Sequence, residues 1–452
     1  MTPSAKADKV DLLGRGRTQR GGDAPFGFSG LSGDLDLSHI ARIASKKPPP
    51  GPVPPETHLT GPNLILHFGY PAETHKVLTE DGYYVTIFRI PWSPKLGPAN
   101  ESRPVVFLQH GVLQTADQWL FRGPGRDLPF LLSDLGFDVW MGNYRGSTYS
   151  RKHAYLSPKK LRFWDFTWNE NGLFDLPAML DYVGAVTGQP SMFYIGHSMG
   201  TTTLLALLAE RPEYNRRIRG AFLLAPVAYF QHTWGPLAQA RSIAPLLTSQ
   251  PNNRLIGEAL PRGAGNMCVG AVPLCALVHN LGSGSSPGEY NATVFKILFG
   301  HYPSGASFGQ LLHYVQILVS GEFKMFDYGP RENLARYGQT TPPFYALSNV
   351  RAPIYLNYAE GDPLSPPKDV LRLAKEVPGV RKLMKVPLKD FGHVDHLYAT
   401  HSYELEYKGI IDIMLVMPPA ADLTSGDGNA VSGPGCEPEG ELQASEVKRW
   451  VG

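Results

Sequence analysis

Met192-Phe193-Tyr194-Ile195-Gly196-His197-Ser198-Met199-Gly200-Thr201-Thr202 decides the fold. Its first residues are apolar without alternation, as in a strand buried on both faces. The run then enters Gly-His-Ser-Met-Gly and continues into Met199–Arg211, which reads as a helix. A strand that turns straight into a helix strains the backbone of the corner residue and needs small neighbours. It also lifts the serine hydroxyl above the sheet, beside the positive end of the helix. A bare Gly-x-Ser-x-Gly is weak evidence, and an incidental serine in a glycine turn is the alternative. The strand before it and the helix after it make Ser198 a candidate nucleophile.

Working outward, strands are predicted at Tyr84–Ile90, Val105–His110, Phe137–Gly142, Gly220–Ala225, Ile354–Tyr358 and Arg381–Val386. Helices are predicted at Leu173–Val186, Lys368–Glu376 and Tyr398–Met417. Alternating β and α units imply a doubly wound, mostly parallel α/β sheet. The rhythm breaks between 228 and 342. That stretch is too long for a structureless loop in a compact domain, so it reads as an inserted, mainly helical cap. The core is thus expected in two parts, 61–227 and 343–418. Residues 1–60 read as a disordered Gly/Pro/Arg-rich leader, with eight Lys/Arg against five Asp/Glu in the first fifty. Residues 419–452 read as a second disordered tail.

A serine hydroxyl needs a base, and the base needs an orienting carboxylate. Asp362 lies just past the strand Ile354–Tyr358. His393 follows Gly392 in the loop after Arg381–Val386. The chain order Ser, acid, His suits this architecture. Glu360 is a rival acid, with a solvated loop carboxylate as its plain reading. Asp395 could orient a histidine, but it is close to His393 in sequence and reads as a local helix cap. His396 is a second-choice base. His301, His313 and His401 lack any such context. For the oxyanion, one donor is the N–H after the nucleophile, Met199. The other is Val112 N–H, in the loop after Val105–His110, where Gly111 permits close approach.

Composition narrows the rest. The chain has 452 residues, 42% of them apolar, enough for a large core. A formal net charge of +2 argues against nucleic acid as the main partner. No run approaches the length of a transmembrane helix, and three cysteines cannot staple a fold of this size. The mechanism requires no metal or organic cofactor. No apolar segment of a secretory signal follows Met1. Asn100-Glu101-Ser102 and Asn291-Ala292-Thr293 are glycosylation sequons, a pattern that also arises by chance.

Taken together, the motifs resemble the acid lipase family of the α/β-hydrolase fold, which includes gastric, lysosomal and insect lipases. The matches run in order across 64–416. They include Gly69-Tyr70-Pro71, Thr79-Glu80-Asp81-Gly82-Tyr83, Leu108-Gln109-His110-Gly111-Val112-Leu113 and Asp138-Val139-Trp140-Met141-Gly142-Asn143. Arg145-Gly146-Ser147-Thr148-Tyr149-Ser150, Phe163-Trp164-Asp165-Phe166, the elbow itself and Asp362-Pro363-Leu364 complete the series. The resemblance implies a serine ester hydrolase acting on neutral lipid esters, secreted or lysosomal, and the aromatic and apolar content of 228–342 adds an expected preference for long-chain esters met at a lipid–water interface. It puts the nucleophile on Ser198, the acid on Asp362 and the base on His393. It also implies a cap disulfide, for which Cys268 and Cys275 are the pair, leaving Cys436 over. The chain departs from the family at Gly392, where Asn is usual, and in Gly282-Ser283-Gly284-Ser285-Ser286-Pro287-Gly288, which is glycine-rich where the family is more apolar.

Overall fold

A computed structural model describes residues 52–98, 102–242, 244–248, 255–260, 265–269, 272–289 and 291–418. The strands are β1 (Glu73–Leu78), β2 (Tyr83–Ile90), β3 (Val105–Gln109), β4 (Asp138–Asn143), β5 (Lys152–His153), β6 (Met192–His197), β7 (Ile218–Leu224), β8 (Ile354–Tyr358) and β9 (Val380–Lys385). They form one sheet in the order β1-β2-β4-β3-β6-β7-β8-β9, with β5 beside β2. The pairings from β4 through β9 are parallel, while β1, β2 and β5 make an antiparallel edge. The sheet is α/β and mostly parallel, as the sequence implies. β3, β4 and β6 are buried at every residue, because helices cover both faces of a parallel sheet. β6, which carries the elbow, lies centrally between β3 and β7. The ends of β3, β6 and β8 therefore converge above one edge.

Two apolar clusters fill the layers on either side. The 228–342 segment is mainly helical where described, including Val272–Ser283, Ala292–His301, Phe308–Ser320 and Pro330–Tyr337. Its apolar side chains do not form one separate core. Val294, Phe295, Ile297, Leu298 and Phe299 join one cluster of the hydrolase layers, and Ile317, Leu318 and Phe323 join the other. Among the described residues, only Leu312, Phe326 and Tyr328 make a small cluster of their own.

Several quoted motifs prove to be scaffolding. The buried Arg145 guanidinium bonds Asp175 at 2.7 Å and Asp81 at 2.8 Å, and stacks 4.0 Å from the Tyr83 ring. Burial raises the Asp175 carboxyl, against the lowering pull of Arg145. The expected leader is described from residue 52 onward, and there it is ordered. Pro55–His58 form a 3-10 turn with Thr57 buried, and Glu56 O accepts from His301 Nε2 at 2.9 Å. The rest of the leader, the 419–452 tail, Cys436 and Asn100 lie outside the described residues. The expected helix Tyr398–Met417 is in fact broken. Asp395–Tyr398 and Lys408–Val416 are separate helices, with a π-turn at Tyr403–Tyr407 between them.

Candidate active site

Ser198 stands at the corner between β6 and the helix Met199–Glu210, with φ 53° and ψ −117°. A non-glycine residue with positive φ is strained, and such strain collects at functional sites. The flanking glycines are dictated by contact. A Cβ on Gly196 would lie 2.9 Å from the Gly200 carbonyl carbon, and one on Gly200 would lie 2.4 Å from Gln109 O. Thr201 Oγ1 donates to Ser198 O at 2.6 Å and accepts from Val227 N at 3.0 Å, which ties the elbow to the segment after β7.

β8 ends two residues short of Glu360, and Asp362 follows in a tight turn. Asp362 is fully buried. Its Oδ1 accepts from Leu364 N at 2.8 Å and Ser365 N at 3.0 Å, and its Oδ2 lies 2.9 Å from His393 Nδ1. Two fixed main-chain donors set the carboxylate plane, so the remaining oxygen addresses the imidazole. A carboxylate can only accept, so Nδ1 carries a proton, which in the neutral ring leaves the lone pair on Nε2. Nε2 is buried and has no hydrogen-bond partner. It is not bonded to Ser198 Oγ in this arrangement, as is common in sites without substrate.

His197 brings His393 and the elbow together. Its Nε2 donates to His393 O at 2.9 Å, and the two rings lie 5.0 Å apart. Burial, then the charge of His393, holds the His197 imidazole well below its ordinary pKa, so it is neutral. In the motif this residue is only a variable position. No local signal marks it, because its partner lies 196 residues away.

The loop after β3 closes over the elbow. A Cβ on Gly111 would lie 3.2 Å from Ser198 Cβ. His110 shapes this turn: Nε2 accepts from Tyr144 N at 3.2 Å, so Nδ1 is the donor to Gly111 O at 2.7 Å. Burial lowers its pKa to about 4, which keeps it neutral. Val112 is half-buried on this loop, and Leu113 beyond it has φ 62°. Met199 opens the helix, where the first N–H groups have no intrahelical partner.

The rival residues point elsewhere. Glu360 is exposed and pairs with Lys385 at 2.5 Å. Asp395 bonds Gly392 N and Ser286 N instead of an imidazole, and it does not cap the following helix. His396 is buried against Glu406 at 2.9 Å. His301 pairs with Asp117 at 3.0 Å, His401 with Glu289 at 3.0 Å, and His313 stacks 3.8 Å from Trp168. Cys268 and Cys275 form a disulfide. Asn291 Oδ1 caps the helix Ala292–His301, accepting from Thr293 N and Val294 N. No group of three or more His, Cys, Asp or Glu among the described residues could hold a metal ion.

Comparison with known proteins agrees with this layout. Residues 62–123 match the family described as "Partial alpha/beta-hydrolase lipase region", and residues 104–260 match "alpha/beta hydrolase fold". "Lipase 3" of Drosophila melanogaster is 40% identical over 359 residues, covering 76% of this chain and 90% of that protein. "Lipase 1" of the same fly is 34% identical, covering 80% of this chain and 81% of its own length. The human "Gastric triacylglycerol lipase" is 32% identical over 376 residues, covering 80% of this chain and 92% of itself. With the elbow at Ser198 and these relatives along most of its length, the chain belongs to the acid lipase family of the α/β-hydrolase fold.

Proposed function

We propose that Ser198, His393 and Asp362 form the catalytic triad of a serine carboxylic ester hydrolase, a lipase acting on fatty-acyl esters of neutral lipids. The observation that carries this reading is the buried His393, paired with Asp362 through Nδ1 and unpartnered at Nε2. Ser198 Oγ attacks the acyl carbon and passes its proton to His393 Nε2. The carbonyl π pair moves onto oxygen, where the Met199 and Val112 N–H groups stabilise it. Collapse expels the alcohol, which takes the proton from His393 and leaves the acyl group on Ser198. Water then repeats the sequence, with His393 as base, and releases the fatty acid. Asp362 fixes the tautomer and stabilises the imidazolium.

The substrate class follows the family, as acylglycerols or sterol esters met at a lipid–water interface. The protein works in an oxidising compartment, secreted or lysosomal. The Cys268–Cys275 disulfide supports this placement, and Asn100 and Asn291 would be its glycan acceptors. No helix among the described residues is long and apolar enough to cross a membrane.

The test is a series of esters from acetyl to oleoyl, below and above their solubility limits. Turnover should rise on emulsified long-chain esters. A maximum at acetyl or butyryl with no rise on emulsion would make this a small-ester esterase. Ser198→Ala should lose several orders of magnitude of rate and all labelling by a fluorophosphonate, while its circular dichroism stays native. A folded variant with near wild-type turnover would end the triad reading.

A further inference from the structure

Two residues after the base, Asp395 has a buried carboxylate with an unusual pair of partners. Its Oδ2 accepts from Gly392 N at 2.8 Å and from Ser286 N at 2.7 Å. Gly392 is the residue before the base, whereas Ser286 belongs to the inserted segment. One oxygen is thus shared between the base loop and the insertion. A third bond runs alongside, from His393 N to Ser283 O at 2.8 Å. Between these bonds the two backbones touch. Gly284 has φ 66°, and a Cβ on Gly392 would lie 2.3 Å from the Gly284 carbonyl carbon. Both departures from the family pattern, Gly392 and the glycine-rich 282–288 run, therefore meet at one contact that only glycine permits.

The charged groups around this carboxylate are few and mostly engaged. Glu289, on the insertion, faces it but bonds His401 N at 2.8 Å. His396, on its own helix, is held by Glu406. Asp390, on the base loop, accepts from Ser286 Oγ at 3.3 Å. Asp362, the residue bonded to His393, acts on the neighbouring His396 rather than on this carboxylate. The two N–H groups, and after them the charge of His396, oppose burial in keeping the carboxylate ionised. Burial nevertheless pushes the Asp395 carboxyl up to about 6.

We propose that Asp395 is a positioning residue that fastens the insertion to the base loop and so holds His393 over Ser198. The inference rests on His393 being the general base. Removing the carboxylate would leave two buried N–H groups without an acceptor, and the base loop would relax away from the elbow. Protonation removes the charge that strengthens both bonds, so the tether weakens on the acid side of neutrality. An asparagine in this place keeps one carbonyl oxygen able to accept both N–H groups at every pH.

The experiment measures kcat and KM on a soluble butyrate ester from pH 4.5 to 8.5 for wild type, Asp395→Ala and Asp395→Asn. Asp395→Ala should lose about 10–100-fold in kcat with little change in KM. Asp395→Asn should stay within about threefold of wild type at pH 7.5 and keep its rate to lower pH. A folded Asp395→Ala with unchanged kcat and pH profile overturns the proposal. Should Asp395→Ala not fold, the acid limb of Asp395→Asn decides: a shift to lower pH supports the proposal, and an unshifted limb overturns it. His393→Ala is measured in parallel. If it retains wild-type turnover, the triad reading has failed. If it is inactive while the Asp395 variants behave as wild type, only the role of Asp395 has failed.

Discussion

The imidazole of His197 donates to the main-chain oxygen of His393, so the side chain beside Ser198 grips the peptide of His393. Any drift of the base loop must break this bond, which lies in a buried setting where hydrogen bonds are strong and their loss is expensive.

His197→Phe should therefore lower kcat by about tenfold, the equivalent of one lost buried hydrogen bond, and lower the melting point by a few degrees while the protein stays folded. The ring fills the same space but cannot donate. Steady-state kinetics on a soluble ester, with circular dichroism as the folding control, checks this. An unchanged kcat would mean that the loop is held without His197.

Asp362→Asn should cost on the order of 10⁴ in kcat, because the amide can favour the wrong imidazole tautomer. Glu360→Gln should leave kcat within about twofold, since exposed ion pairs like that with Lys385 contribute little. If Glu360→Gln proved the crippling change, the acid assignment would be wrong by two residues.

Much of this site could be read from sequence because its parts sit at strand ends. β8 is predicted with its observed bounds, and Asp362 follows it at a distance that a turn spans. The parts that could not be read depend on contacts across the chain. β1 has a mostly polar sequence, Glu-Thr-His-Lys-Val-Leu, and forms a strand because it lies on the sheet edge against β2. The predicted helix Tyr398–Met417 fails at Ala399 for a similar reason. The Ala399 carbonyl is taken by the Arg122 guanidinium, which also bonds Ser402 Oγ at 2.7 Å. A residue 277 positions away thus competes with the helical bond, and no local periodicity can register that. Asp395 has the same character. Its spacing from the following helix suggests a cap, yet its distant partner, Ser286, is fixed by where the insertion lies.

Arg145→Met should destabilise the protein by about 3–5 kcal/mol, because the buried Asp175 loses its counter-charge. Asp175 is fully buried and bonded at 2.7 Å by the guanidinium. The midpoint of urea unfolding, followed by tryptophan fluorescence, gives the difference. Arg145→Met with a wild-type midpoint would show that Asp175 is already neutral in the folded state.

His301 gives a dependence on pH whose sign can be stated. Burial lowers its pKa, but the hydrogen bond and charge of Asp117 outweigh this, so it is raised overall. A raised folded pKa favours the protonated, folded protein. The contribution is complete below the unfolded histidine value of about 6.5 and disappears as pH rises through the folded value. His301→Gln should therefore destabilise most at pH 5.5 and least at pH 8.5. Urea midpoints at the two pH values test this. An equal loss at both would mean that the pair carries no charge in the folded state.

The insertion also constrains how this chain can be edited. Val294–Phe299 and Ile317–Phe323 supply side chains to the same two clusters that the sheet packs against, and the 3-10 turn at Pro55–His58 is joined to His301. Cutting at 228 and 342 to leave a minimal hydrolase would open both clusters to water at once, together with the seat of the N-terminal turn. The segment is therefore not a swappable module. Grafting another lipase's insertion here would require redesigning the faces beneath it, and a chimera that exchanges only the segment between those positions should aggregate.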